Sequence, residues 1–227
     1  RPGAGSNIAA TEVARADPDG YTLMMGVLTG LASSPSLYPK LGYDLLKDFS
    51  FISRVATGAN VLLANPALPA RSVAELLALA RAKPTAIRYG TSGVANPTHL
   101  YMELLQLRTG TQLLHIPYKG GAPAMTALAG GEVEVGFSGI PVSMPLIKAK
   151  RLLPLAVTSA KRVGALPEVP TMEESGVADF VVVSMFGLIA PTATPAAVVK
   201  LLNAEIRAIL QTDDVKTKFA AQGLEVA

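Results

Sequence analysis

Cysteine is absent from this chain of 227 residues, and histidine occurs only twice. Without cysteine there can be no disulfide bond, no thiolate nucleophile and no cysteine-ligated metal. Two histidines separated by sixteen positions offer little for a metal site. Charged residues are also scarce, at 16% of the chain, and no apolar run approaches the roughly 18 residues of a membrane-spanning helix. Because 50% of the residues are hydrophobic, the composition excludes disorder and predicts a globular fold.

The formal net charge of +3 comes from lysines and arginines scattered over the whole length. Nucleic-acid-binding proteins typically concentrate their basic residues in stripes or patches. A scattered charge is therefore a weak argument for small anionic ligands and a poor one for nucleic acid. We expect no nucleic-acid partner, no metal and no other cofactor.

Short β-like runs alternate with amphipathic helical runs along the chain. This alternation is typical of α/β lobes with largely parallel sheets, whose ligand sites lie at the carboxyl ends of strands. Three times, a β-like run leads into small residues and then into a helix that begins at or near a proline. The three units are Ile87–Tyr89 with Gly90–Gly93 and Pro97, Leu113–Pro117 with Tyr118–Gly121 and Pro123, and Val133–Phe137 with Ser138–Pro141. Other predicted elements are the strands Tyr21–Gly26 and Phe49–Ala56 and a last helix from Asp213 to about Gln222.

The β-like runs also predict how the chain is divided. Val61–Ala64 is strongly β-like, and Val181–Ala190 is the longest β-like run. If the first is one crossing between lobes and the second is the return, residues 61–183 form an inner lobe. Residues 1–60 and 184–227 then form a discontinuous outer lobe.

Catalytic motifs nearly fit the glycine-rich turns, and each fails at a required position. The nucleophile elbow G-x-S-x-G has Val94 in place of its second glycine. The dinucleotide fingerprint G-x-G-x-x-G begins at Gly3 but ends on Ile8, and it follows no strand. Ser92 and His99 could be imagined as nucleophile and base, but no positioned acid accompanies them. We interpret His99 as a helix histidine that packs or caps.

The turns instead suit the binding of an anion. Gly, Ser and Thr at the junction of a strand and a helix surround one point with backbone amides and hydroxyl groups, which favours a carboxylate, phosphate or sulfate. The candidates are Thr91-Ser92-Gly93, Ser138-Gly139 and, in the outer lobe, Thr29-Gly30. The alternative is that these turns are ordinary connections of an α/β protein.

Seven segments of the sequence resemble one family in order and spacing. They are RPGAGSNIAA, ADPDGYTLMMG, SLYPKLGYDLLKDF, HIPYKGGAPAMTALAGGEVEVGF, LAVTSAKR, LPEVPTMEESG and FGLIAPTATP. Together they are similar to the periplasmic solute-binding receptors of tripartite tricarboxylate transporters, often called Bug receptors. The resemblance covers essentially the whole chain.

This resemblance implies an α/β type II periplasmic-binding-protein fold, with two lobes and a ligand cleft between them. The ligand of such a receptor is a dicarboxylate, tricarboxylate, acidic amino acid or aromatic carboxylate. Amides and hydroxyls of the strand-turn-helix junctions hold it, partly through water. Carried onto this sequence, the contacts are Thr91-Ser92-Gly93 with Val94-Ala95, then Thr29-Gly30 and Ser138-Gly139. Tyr118 and Lys119 are interpreted as structural.

The resemblance further implies a monomeric, non-enzymatic receptor in the periplasm that delivers its ligand to the membrane permease subunits of a transporter. The turn Gly3-Ala4-Gly5 would shape the outer lobe near the cleft. Members of the family carry a leader, a first strand and a glycine-rich loop before this segment and continue beyond Ala227, so we expect either a partial record of a longer protein or a truncated chain. Ser138 is often Asp or another polar residue in relatives, which favours a plain carboxylate over an amino acid.

Two alternatives stay open at this point. One is an α/β enzyme that acts on a bound carboxylate through Ser92 or Tyr118, and turnover of the ligand would reveal it. The other is a sensor of the same fold that passes lobe closure to a signalling partner. Because closure is common to receptor and sensor, the sequence does not separate them.

Overall fold

The computed structural model describes residues 6–227. The predicted turn Gly3-Ala4-Gly5 lies outside the described residues. The chain divides into two compact units, one comprising Arg1–Thr57 and Ser184–Ala227 and the other comprising Gly58–Val183. Both units contain helices and strands, so the predicted α/β class is confirmed. No helix within the described residues is both long and apolar enough to cross a membrane.

Helices and strands alternate through most of the chain. In chain order they are α1 (Asn7–Ala14), β1 (Met24–Val27), α2 (Leu28–Leu37), β2 (Phe49–Ala64), α3 (Val73–Ala82), β3 (Arg88–Thr91), α4 (Pro97–Thr109), β4 (Leu114–Pro117), α5 (Gly121–Gly130), β5 (Val135–Gly139), α6 (Ile140–Lys148), β6 (Leu153–Val157), β7 (Val183–Pro191), α7 (Ala196–Leu210), α8 (Asp213–Ala220) and β8 (Leu224–Val226). Strand β2 begins in the first unit and ends in the second.

The first unit is built from both ends of the chain. Strand β1 pairs antiparallel with β7, from Met24 opposite Ile189 to Val27 opposite Phe186. Both β7 and β8 also pair with β2. Leu31 of α2 is fully buried and packs in the same core as Ile189. The start of α2 is therefore anchored directly behind the end of β1.

The sheet of the second unit is parallel around β3. Strand β3 lies between β4 and β5 and is parallel to both. Strand β2 is antiparallel to β5 and to β6. Since parallel strands end at the same edge of a sheet, β3, β4 and β5 direct their carboxyl ends, and the helices that follow them, to one side of this unit.

Alternate residues of β2 pack on opposite faces of this sheet. Leu62 and Ala64 belong to one core with residues of α3 and α4, whereas Val61 and Leu63 belong to another core with residues of α5 and α6. All four are fully buried. Successive side chains of a strand point to opposite faces. The uninterrupted apolar run therefore indicates a sheet covered by helices on both sides.

Helix ends in this unit follow local sequence signals. The Ser72 side chain caps α3 by accepting a hydrogen bond from the backbone N–H of Glu75, an arrangement typical of a capping box. Asn96 caps α4 by accepting from the N–H of Thr98. Gly110 ends α4 with a φ of 63°, a conformation that favours glycine.

Strand β2 corrects one sequence prediction. Phe49–Ala56 and Val61–Ala64 were expected to be separate strands, but they form one strand of 16 residues. Thr57 and Gly58 interrupt the β-like pattern between them. The strand continues because β2 has hydrogen-bonding partners along its length, namely β5, β6, β7 and β8. Tertiary pairing outweighs the weak local propensity of these residues.

Two further differences concern the ends of the chain. The strand predicted from Tyr21 starts only at Met24, because the N–H of Tyr21 bonds to Asp19 Oδ1 in the preceding turn. Strand β8 was not predicted. It has only three residues, and it follows the last helix where the N–H of Ala227 donates to the Val55 carbonyl over 3.2 Å.

A glycine-to-alanine pair tests the close approach of β3 and β5. A Cβ atom on Gly136 would lie 2.8 Å from the Gly90 carbonyl oxygen, whereas one on Gly130 would meet nothing within 4 Å. We expect Gly136→Ala to lower the free energy of unfolding by about 1–3 kcal/mol, because backbone must move. Gly130→Ala should change it by less than about 0.5 kcal/mol. Urea denaturation of both variants measures the difference, and equal effects would contradict the packing described.

Candidate functional site

The carboxyl ends of β3, β4 and β5 form the candidate site. Strand β3 leads through a short turn into α4, β4 leads into α5, and β5 passes directly into α6. Three helix N-termini therefore lie at one edge of the sheet, where their amide groups create a positive potential. Such an edge favours an anion. The predicted site residues at this edge are Thr91, Ser92, Gly93, Val94, Ala95, Ser138 and Gly139.

Thr91 is the inner anchor of the turn between β3 and α4. It is fully buried, and its Oγ1 lies 2.7 Å from His115 Nε2. The same hydroxyl donates to the Gly93 carbonyl over 3.3 Å. Its own carbonyl accepts from the N–H of Tyr118 over 3.0 Å, which ties the turn to the end of β4. Thr91 thus holds the turn in place more than it offers groups to a ligand.

Ser92 lies just before the N-terminus of α4. Its Oγ is 3.0 Å from Thr98 Oγ1, and its N–H donates to the same oxygen over 3.1 Å. Thr98 also donates its N–H to the cap residue Asn96. Ser92 is half-buried. The hydroxyls of Ser92 and Thr98 therefore form a polar pair at the helix N-terminus.

The rest of the turn has an unusual backbone. Gly93 has a φ of 137° and Ala95 a φ of 61°. For alanine this left-handed conformation costs about 1–2 kcal/mol. The N–H of Ala95 donates to His99 Nδ1 over 3.3 Å, which helps to offset that cost. Val94 between them is 59% exposed. Strain at such a turn supports a functional role for it.

Ser138 and Gly139 end β5 beside β2. Ser138 is 5% exposed and lies opposite Val61, and its hydroxyl donates to the Gly139 carbonyl over 3.3 Å. Ser143 of α6 donates to the same carbonyl over 3.2 Å. Gly139 lies opposite Asn60. The junction between β5 and α6 is thus braced by hydroxyl groups.

Two buried polar residues at this edge were missed by the sequence reasoning. Asn60 is 3% exposed and Thr158 is fully buried. The N–H of Asn60 donates to Thr158 Oγ1 over 2.9 Å, and the N–H of Thr158 donates to the Asn60 carbonyl over 2.9 Å. The signal for Thr158 is its place in the segment LAVTSAKR, directly after β6. Both residues join the candidate site.

Thr29 and Gly30 belong to the first unit, at the start of α2. The Gly30 carbonyl accepts hydrogen bonds from the hydroxyls of Ser33 and Ser34, each over 3.0 Å. Within residues 6–227, no group hydrogen-bonds to the buried Oγ1 of Thr29. A buried hydroxyl without a partner is unfavourable. Thr29 therefore remains a candidate for contact with a ligand or water.

The two histidines of the chain meet behind the β3–α4 turn. The ring centroids of His99 and His115 are 4.1 Å apart, with 19° between the ring planes. Tyr89 extends the stack, 4.9 Å from His115, and its hydroxyl donates to Glu103 Oε1. Burial lowers the pKa of His115, and the nearby His99 adds to this. Burial also raises the pKa of Tyr89. His99 thus both packs and caps, as the sequence indicated.

Tyr118 and Lys119, which the sequence analysis interpreted as structural, directly follow β4. The Tyr118 hydroxyl donates to Glu132 Oε2 over 3.4 Å, and burial raises its pKa. Lys119 is exposed.

In the part of the chain that the structure describes, no group of three or more His, Asp or Glu side chains could hold a metal ion.

Comparison with known proteins decides the family. The model of the tripartite tricarboxylate transporter family receptor matches residues 1–227. The chain belongs to this family. BugT of Bordetella pertussis is 37% identical over 224 residues, which are 98% of this chain and 69% of BugT. A protein from the TAR-I ttuE-ttuC' intergenic region of Agrobacterium vitis is 34% identical over 221 residues, 97% of this chain but 64% of that relative. The chain spans about two thirds of these relatives.

Solved structures share the fold of this receptor-family chain. An R. palustris protein with adipate has a TM-score of 0.96 at 38% identity. The match covers 100% of this chain and 76% of the R. palustris chain. The periplasmic binding protein BugD has a TM-score of 0.91 at 35% identity, over 99% of this chain and 75% of BugD. MatC from Rhodopseudomonas palustris with bound malate has a TM-score of 0.91 at 30% identity, over 99% of this chain and 76% of MatC. The predicted periplasmic-binding fold class is confirmed.

His115 should make the stability of the chain depend on pH. Its pKa in the folded chain lies below the ordinary histidine value of about 6.5, so the unfolded chain binds a proton more readily. The stability that it contributes is complete above about pH 6.5 and is lost as the pH falls. Urea unfolding at pH 7 and pH 5 measures this loss.

The matched variant is His115→Gln, which keeps a hydrogen-bonding group near the position of Nε2 but does not titrate. We expect its free energy of unfolding to fall less between pH 7 and pH 5 than that of the wild type. An equal fall in both proteins would contradict a contribution from His115.

Proposed function

We propose that this chain is an extracytoplasmic receptor that binds a small carboxylate at the edge formed by β3, β4 and β5. The observation that carries the proposal is the convergence of three strand-to-helix junctions at this edge. Ser92 and Thr98 add hydroxyl groups there, and Gly93 leaves the backbone accessible. Amides at helix N-termini bind anions without a cationic side chain.

Relatives support the class of ligand. Two structural neighbours from R. palustris contain adipate and malate, which are both dicarboxylates. Their sequences are 38% and 30% identical to this chain, and their TM-scores exceed 0.9. We therefore propose a dicarboxylate as the first class to test, ahead of tricarboxylates, acidic amino acids and aromatic carboxylates.

The chemistry of the edge supports recognition by shape and hydrogen bonds. Its polar groups are mainly backbone amides and the hydroxyls of Ser and Thr, and the nearby cation Lys119 is exposed. In such a site the length of the ligand and bridging waters decide which carboxylate fits. Discrimination between dicarboxylates of different length is the expected consequence.

The same geometry supports binding over catalysis. The Ser92 hydroxyl is bonded to Thr98, and the His99 ring faces the N–H of Ala95 and the Glu103 carboxylate. A serine nucleophile requires a base within hydrogen-bond reach and a group that orients that base. We propose that the chain is not an enzyme.

The finer parts of the function are also proposals. The ligand would bridge turns of both units, with Thr29 and Gly30 as contacts from the first unit. Tighter binding to a closed form would then shift a hinge equilibrium. We further propose that the receptor is a periplasmic monomer that delivers its carboxylate to the membrane permease subunits of a transporter, as its family membership supports.

A thermal melt of the chain with a carboxylate panel tests the proposed function. Adipate or malate should raise the midpoint, because a ligand that binds only the folded state stabilises it, by about 2.7 kcal/mol at a concentration of 100 times its Kd. Dimethyl adipate has the same carbon chain as adipate but no charge, and it should leave the midpoint unchanged. A similar rise of the midpoint with the ester would contradict the proposal of a carboxylate site.

Ser92→Leu tests the position of the site. Leucine at this half-buried position removes the hydroxyl and fills the space in front of the N-terminus of α4. We therefore expect the affinity for the stabilising carboxylate to fall at least about tenfold, or about 1.4 kcal/mol. Thr126→Leu places the same side chain on the exposed face of α5 and is the matched control. Calorimetry gives both affinities. Full binding by Ser92→Leu would mean that the ligand lies elsewhere.

A further inference from the structure

The stacked histidines contact both ends of the turn to which we assign the carboxylate. His99 Nδ1 accepts from the N–H of Ala95 over 3.3 Å, at the end of the turn. His115 Nε2 lies 2.7 Å from Thr91 Oγ1, at its start. The two rings stack with centroids 4.1 Å apart, so the residues that contact the start and the end of the turn also contact each other.

The contact from His99 depends on its protonation. Since the Ala95 N–H is a donor, Nδ1 must carry a free lone pair. The other nitrogen, Nε2, faces Glu103 Oε1 at 3.6 Å, which suits a neutral ring with its proton on Nε2. A second proton would occupy Nδ1, so that the N–H of His99 and the N–H of Ala95, both donors, would face each other. The hydrogen bond that supports Ala95 at a φ of 61° would then be lost.

Two titratable groups from the surrounding elements face the pair, Glu103 of α4 and Tyr89 of β3. Glu103 attracts positive charge on His99, but its Oε1 also accepts from the Tyr89 hydroxyl and from Gln106 Nε2. His115 opposes a charge on His99, because two charged rings at this distance repel each other.

Among the charged groups of the neighbouring strands and loops, Lys119 is exposed and three others are paired. Arg88 pairs with Glu134, and the Tyr118 hydroxyl donates to Glu132.

We propose that His99 is a positioning residue for ligand binding: in its neutral form, stacked on His115, it holds the Ala95 amide and with it the carboxylate-binding turn. A proton on His99 weakens carboxylate binding. This inference rests on the proposed function of the turn.

Two consequences of that proton oppose each other. Its charge attracts a carboxylate, while the loss of the Ala95 hydrogen bond releases the turn. Three helix N-termini already supply positive potential at the edge. A positive φ at Ala95, in contrast, costs about 1–2 kcal/mol and needs support. Release of the turn therefore dominates, and affinity falls as the pH is lowered.

Calorimetry with adipate at pH 7.5 and pH 5.5 tests the proposal on the full chain. Wild-type affinity should fall up to about tenfold between these two pH values, because a proton on His99 releases the turn. His99→Asn places an amide oxygen near the position of Nδ1 and does not titrate. It should match the wild type at pH 7.5 and lose less affinity at pH 5.5. The protonation of adipate itself cancels in this comparison.

Three more variants distinguish the positioning of Ala95 by His99 from a nonspecific effect of mutations in α4. His99→Leu should bind about tenfold more weakly than the wild type at pH 7.5. Adding Ala95→Gly to it should restore affinity, since glycine adopts a positive φ freely. Leu107→Ala changes a side chain of the same helix that is 81% exposed, and it should bind as the wild type does. Failure of Ala95→Gly to restore affinity would overturn the proposed route through Ala95.

A readout without ligand keeps this inference separate from the proposed function. In ¹⁵N-labelled protein, the Ala95 amide resonance should shift between pH 7.5 and pH 5.5, and it should shift less in His99→Asn, which keeps only the contribution of His115. An Ala95 amide that shifts equally in both proteins overturns the proposal, as does equal pH dependence of adipate binding in both proteins. If adipate binds neither protein at pH 7.5, adipate is excluded as the ligand of the proposed function, and the Ala95 amide still decides the positioning role.

Discussion

The parallel pairing of β3 with β4 and β5 is the constraint on which the second unit depends. It aligns Thr91 with Pro117 and sends three consecutive chain segments toward one edge of the sheet. The pairing requires a close backbone approach, because a side chain on Gly136 would collide with the Gly90 carbonyl. Glycine at this position therefore serves the packing of two strands, and the location of the candidate binding edge follows from that packing.

Binding at this edge would rely on groups that the fold itself supplies. Helix N-termini provide amides, and Ser92, Thr98 and Ser138 provide hydroxyls braced by their neighbours. A family of receptors can then change its ligand by altering the shape of the site while the same amides hold the carboxylate. Two structural neighbours contain different dicarboxylates, adipate in one and malate in the other.

Much of the fold of the second unit could be predicted from local patterns. Ser72 and Gly110 are residue types typical of helix ends, and the strand-to-helix units at Thr91 and Ser138 were visible as small residues before a proline. Strand β8 and the continuity of β2 could not be predicted, because both depend on hydrogen bonds to distant strands. The partnership of Asn60 with Thr158 was hidden for the same reason, since 98 positions separate them.

The sequence by itself determined the α/β alternation, the polarity of the turns and the family, because period, turn chemistry and motif order are local properties of the chain. Only the tertiary structure decided that His99 and His115, sixteen positions apart, stack behind one turn. That contact requires β3 and β4 to pair in register and α4 to pack over them, with the two rings on the same face of the sheet. Burial, stacking and the acceptor role of His99 all arise from this packing, which no local pattern encodes.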